Sequence, residues 1–78
     1  MGMPADETRI PKLLGATVRR LRMAEGISQI DLAEKAGLNH NFVGEIERGE
    51  KLASVVSVVR LAQAFGLKGA ELMARAKL

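Results

Sequence analysis

The chain contains no cysteine, no tryptophan, no tyrosine and only two phenylalanines. Without cysteine there can be no disulfide and no thiolate-bound metal, and the single histidine, His40, brings too few ligands for a metal site of its own. Scarce aromatics argue against the stacking platforms on which proteins hold single-stranded nucleic acid. No apolar run approaches the ~20 residues of a bilayer span. The first residues carry Asp6 and Glu7 rather than a basic-then-apolar leader, so the expectation is a cytoplasmic chain with no membrane partner. A glycine-rich phosphate loop, a nucleophile paired with a base, and a cluster of metal ligands are all missing too. The expectation is therefore no enzyme, no cofactor and no small-molecule substrate. Neither sign of charge dominates: 12 Lys and Arg oppose nine Asp and Glu for a net +3. The pI near 9.8 is compatible with a nucleic-acid partner without establishing one.

What remains is a 78-residue chain, 47% apolar and 27% charged, enough for one small globular domain with a modest core. Residues 1–9 have no helical spacing and read as a flexible arm, leaving 10–78 as the single domain. Pro11 suits the first turn of a helix, and Ile10, Leu14, Val18 and Leu21 mark one of its faces as far as Ala24. Ser28 and Asp31 form an S-x-x-D start signal for a second helix with Leu32, Ala33 and Ala36 inward, ended by Gly37. Asn39 is a good N-cap for a third, whose apolar positions are Phe42, Val43 and Ile46. The link between the second and third helices is too short for antiparallel packing, so they must cross at a wide angle. Ser54 caps a fourth helix with Val55, Val58, Leu61, Ala62 and Phe65 facing the core. A fifth covers about Lys68–Ala76, with Leu72, Met73 and Ala76 inward. The fold class is all-α, five helices and no strand.

The informative stretch is Gln29–Arg48, QIDLAEKAGLNHNFVGEIER. Counted from Gln29, a small residue (Ala33) stands fifth, glycine (Gly37) ninth, and apolar residues fourth, eighth, tenth, fifteenth and eighteenth. Ala33 is small because a second helix crosses close to it, and Gly37 takes a turn conformation that a Cβ penalises. This is the helix-turn-helix pattern. With SQIDLAEKAGL, then IERG, then RLAQAFGL, residues 14–67 resemble the Xre/Cro/phage-repressor family of DNA-binding proteins, which implies a five-helix, lambda-repressor-like domain. The run HNFVGEIERGEKLASVVSVVRL also looks like the restriction–modification controller proteins within that family, autoregulators that activate as well as repress.

The resemblance implies a sequence-specific regulator of transcription, binding double-stranded DNA with the third helix, Asn39–Arg48, in the major groove. Asn39 opens that helix. His40 and Asn41 stand where the family reads its first bases, Asn41 suited to a bidentate pair with adenine and His40 to guanine or a phosphate. Glu45, one turn on, matches another base-reading position, and the bland alternative for it is a solvated face. Gln29 looks like the family's phosphate-binding glutamine, and Arg48 and Lys51 look like backbone or groove contacts. Arg22 and Glu47 match an arginine and glutamate that tie the first helix to the third. Arg19 and Arg20 can reach a phosphate, although an exposed helical face is the commoner reason for such residues. On a helical wheel Val56 and Val59 fall to one flank of the fourth helix. Together with the fifth helix and Leu78 they point to a homodimer interface, which fits palindromic operators. About four phosphate contacts per chain are expected, with a shallow salt dependence. The competing reading is a helical protein-interaction module, antitoxin or adaptor, on the same scaffold. A DNA binder must instead gather Gln29, Asn41, Arg48 and Lys51 on one surface.

Overall fold

Helix starts and stops in this chain follow from short side chains that satisfy exposed backbone groups. The computed structural model describes residues 3–78, with side chains from residue 5 onward. It contains α1 (Met3–Glu25), α2 (Gln29–Ala36), α3 (His40–Glu47), α4 (Val55–Ala64) and α5 (Gly69–Arg75), and no strand among the described residues. At α2 the Ser28 hydroxyl accepts from the Asp31 N–H at 3.0 Å and the Asp31 carboxylate accepts from the Ser28 N–H at 3.2 Å, a reciprocal capping box. Gly37 ends α2 in the left-handed region, φ 67°, and the Leu38 N–H turns back to the Ala33 carbonyl at 2.9 Å. Asn39 caps α3 by accepting the Asn41 N–H at 2.8 Å, and Ser54 caps α4 by accepting the Ser57 N–H at 3.1 Å.

The principal helix contacts form a closed ring: α1 on α3, α3 on α2, α2 on α4, α4 on α5, and α5 back on α1. Inside it lie Leu14, Val18, Leu32, Ala33, Ala36, Val43, Ile46, Leu61, Ala62 and Leu72. Each large aliphatic member contributes about 1.5–3 kcal/mol relative to an exposed position. The one polar side chain buried in α1, Thr17, donates its hydroxyl to the Leu13 carbonyl at 2.8 Å, so its burial leaves nothing unmatched.

Three expectations are corrected. The arm of residues 1–9 is replaced, over residues 3–9, by helix: α1 starts at Met3 and Pro11 lies in its interior. The Asp6–Arg9 pair at 3.1 Å ties one exposed turn of this extension, while residues 5–10 meet solvent and so carry no apolar pattern to read. Met1 and Gly2 lie outside the described residues. Ile10 is more exposed than its place in the spacing implies. Val55 does not face the core either: it is 81% exposed, and Ser57 is buried in its stead. The Ser54 and Ser57 hydroxyls bond each other at 2.9 Å, which makes a polar residue tolerable there and rotates the buried face of α4 to Ser57, Leu61 and Ala62.

Candidate nucleic-acid interface

The two sides of α3 serve different ends. Val43, Gly44, Ile46 and Glu47 are buried, so the helix sits firmly in the ring. His40, Asn41, Glu45 and Arg48 recur on the other side at the spacing of one helical stripe and, with Gln29 and Gly44, line a single open cleft between α2 and α3. Five of the residues expected to contact DNA, Gln29, His40, Asn41, Glu45 and Arg48, thus come together. Asn39 flanks the group, its side-chain oxygen engaged in the cap. Lys51 is exposed in the loop after α3, outside the cleft lining.

Beneath this surface is a buried polar knot. The Arg22 guanidinium donates from Nε to Glu47 Oε2 at 2.7 Å and from Nη2 to Oε1 at 3.0 Å, while its Nη1 donates to the Ile27 carbonyl at 2.9 Å. Gln29 Nε2 donates to the same Glu47 Oε1 at 3.1 Å. The Glu47 side chain is 2% exposed and that of Arg22 14%. The Glu47 hydrogen bond holds the Arg22 pKa above its ordinary value, against the opposing effect of burial. One carboxylate therefore binds the end of α1, the start of α2 and the end of α3, and it fixes Gln29 at the edge of the cleft.

Gly44 is part of the same construction. A Cβ at this position would stand 3.1 Å from Arg48 Nη1 and 3.2 Å from Gln29 Oε1, so glycine leaves the room in which these two side chains lie against α3. Glycine is unfavourable inside a helix by about 1 kcal/mol relative to alanine, and here the room it leaves offsets that cost. Sequence reasoning missed Gly15. A Cβ there would overlap the Ile46 carbonyl oxygen and reach within 2.8 Å of the Glu47 oxygen, so α1 crosses α3 backbone to backbone. The only signal available was a glycine on the buried face of an otherwise regular helix.

Arg48 caps α3 and pairs with Glu50 in the following loop, Nε to Oε2 at 2.9 Å, both side chains more than half exposed. The hydrogen bond to Glu50 raises the Arg48 pKa, and its counterpart lowers that of Glu50. Arg19 lines a second cleft with Arg22, Gln29, Glu47 and Arg48, and shares a neighbouring groove with Arg20, Ala16, Met23 and Glu47. Arg20 also borders a groove with Arg75 and Lys77 on the α5 side. On α4 and α5 an apolar groove is lined by Ala53, Val55, Val58, Val59, Gly69, Ala70 and Met73. Of the three residues expected at a dimer interface, Val59 lies in that groove. Val56, 58% exposed, and Leu78 are outside its lining.

An arginine–glutamate knot beneath a polar reading stripe, borne on two helices joined by a glycine turn, defines the class. Residues 13–75 match the family described as the helix-turn-helix domain, and the chain belongs to that family; it is a DNA-binding regulator of transcription. Among individual proteins, it is 32% identical over 62 residues to an uncharacterized HTH-type transcriptional regulator, y4dJ, of Sinorhizobium fredii, covering 80% of each chain. It is 32% identical over 66 residues to the control protein C.SmaI of Serratia marcescens, covering 85% of this chain and 79% of that one. Among solved structures, the restriction-modification controller protein C.AhdI from Aeromonas hydrophila superposes with a TM-score of 0.74 at 38% identity, over 87% of this chain and 97% of that one. The clp gene regulator ClgR from Corynebacterium glutamicum superposes at 0.79 with 28% identity, over 86% and 71% of the two chains. No helix among the described residues is long and apolar enough to cross a membrane.

Proposed function

We propose that this chain binds a palindromic operator in double-stranded DNA as a homodimer, each protomer laying α3 in the major groove. The observation that carries the reading is the single cleft that gathers Gln29, His40, Asn41, Glu45 and Arg48 over a rigid support. His40 and Asn41, at the start of α3, read base edges, Asn41 by a bidentate pair with adenine. Glu45 stands one turn deeper, where a carboxylate accepts from cytosine N4. Gln29, Arg48, Lys51 and, from α1, Arg19 take the backbone phosphates and set the register. Asn39 keeps the first turn of α3 in place. The dimer forms through the α4–α5 face, where Val55, Val56 and Val59 leave branched apolar surface uncovered and Leu78 adds to the rim. No cofactor, metal or small molecule enters this account. A regulator of this kind works where the chromosome is, in the cytoplasm.

Similarity to C.AhdI and C.SmaI supports a place among the controller proteins, and on that reading the operator lies upstream of the chain's own gene. The test is a fluorescence anisotropy titration against duplexes from that upstream region beside a scrambled duplex, at two salt concentrations. The expected result is saturable binding with two chains per palindrome and a clear preference over the scrambled duplex. Asn41→Ala is expected to cost about 1–3 kcal/mol of that preference. Equal binding of both duplexes by wild type and variant would overturn the assignment of α3 as the reading helix.

A further inference from the structure

The three guanidinium groups that line the cleft between α1, α2 and α3 are in different states. Arg22 is consumed by Glu47 and the Ile27 carbonyl. Arg19 has no ion pair among the described residues within salt-bridge distance. Arg48 is held by Glu50, and the chain is bent to make that contact. After α3 the Gly49 N–H returns to the Ile46 carbonyl and the Glu50 N–H to the Glu45 carbonyl, both at 2.9 Å. Gly49 takes φ 72°, and a Cβ there would fall 2.8 Å from Lys12 Cγ, so only glycine fits this turn where it passes α1. The result is that a carboxylate two positions along lies 2.9 Å from Arg48 Nε.

A phosphate diester and a carboxylate compete for the same edge of a guanidinium, since both are anionic acceptors and both bind best by two parallel N–H bonds. We infer that Glu50 is a positioning residue that acts as a resident competitor for Arg48, so the protein must break the Arg48–Glu50 pair to grip the DNA backbone at that point. This inference rests on the DNA-binding reading above and deepens it. It assigns the shallow salt dependence expected from the sequence to a particular pair: the phosphate contact made by Arg48 releases counterions from the DNA, while the carboxylate it abandons is left exposed beside the backbone and recruits cations. It also makes the effect independent of sequence, because a phosphate contact carries no base information.

The test is a double-mutant cycle in anisotropy titrations on the upstream duplex and its scrambled counterpart, each across a salt series. Glu50→Gln is expected to tighten binding about two- to fivefold per chain, the size of an exposed ion pair, by the same factor on both duplexes. The slope of log K against log salt should steepen by about one per chain. In an Arg48→Ala background the gain in affinity should disappear. Thermal melts monitored by circular dichroism are expected to stay close to wild type, because both side chains are exposed. If Glu50→Gln tightens binding equally with and without Arg48, the carboxylate acts by diffuse repulsion and the inference is overturned. It is overturned equally if the substitution leaves the affinity and slope of the wild-type chain unchanged. Failure of the wild-type protein to distinguish the two duplexes is a separate outcome: it sinks the operator reading and leaves the Arg48–Glu50 cycle to be judged on backbone binding alone.

Discussion

At Glu47 three segments of this structure meet on one buried carboxylate. Truncating either partner leaves the other charge in a poorly hydrated place, so Arg22→Ala or Glu47→Ala is expected to destabilise the domain by about 3–5 kcal/mol. Urea unfolding followed by circular dichroism measures this, and a loss under 1 kcal/mol would contradict the knot's role. The charge-conserving Arg22→Lys should still lose much of the same stability, since an ammonium cannot make the two-pronged bond. At Gly15 the issue is room rather than charge: Gly15→Ala forces α1 off the end of α3 and is expected to cost about 1–3 kcal/mol, with DNA affinity falling as well because the reading helix moves. Glu50 obeys a different rule because it is exposed. Its carboxyl titrates below the ordinary range when folded, so whatever the Arg48 pair contributes is present above that range and vanishes as the pH falls through the folded value.

Among the elements, α2 depends most on its cap. It is eight residues long, too short to persist alone, and its first residue is Gln29. Ser28→Ala removes the hydroxyl from the capping box and is expected to cost about 1 kcal/mol, while Ser28→Asp should retain most of the stability; thermal melts of the two variants test the pair. Much of this level was legible beforehand. Ser28, Gly37, Asn39 and Ser54 are residues whose chemistry is local, and the structure uses each where local chemistry places it. What was not legible depended on partners distant in the chain. The seven residues before Ile10 that extend α1 have no apolar stripe to announce them, and the rotation of α4 that buries Ser57 and exposes Val55 follows from a hydroxyl pair that spacing rules treat as polar and therefore outward. The site divides in the same way. The reading stripe of α3 follows from helical spacing, and Arg22 with Glu47 from the family resemblance. Gly15, the proximity of Arg19 to the cleft and the clasp of Glu50 on Arg48 arise from α1 lying across α3, which no single segment encodes.

At the scale of the whole molecule, a lone domain of this size offers DNA only about 600–1,000 Å² of contact, and the proposed dimer would join two such domains through the uncovered valines on α4. The double variant Val56→Asp/Val59→Asp places charge on that flank and is expected to shift the protein from dimer to monomer in sedimentation velocity. Operator affinity should then fall at least tenfold while the melting temperature of the monomer changes little. A persistent dimer would move the interface to another face. The closed ring of helices has a consequence for how the chain is made. Because α1 also packs against α5, the domain's first helix meets its last, and a nascent chain that stops short of α5 lacks the fully buried Leu72. Such a fragment has its reading helix already written, and already tied to α1 and α2 through Glu47, before the ring around it is closed.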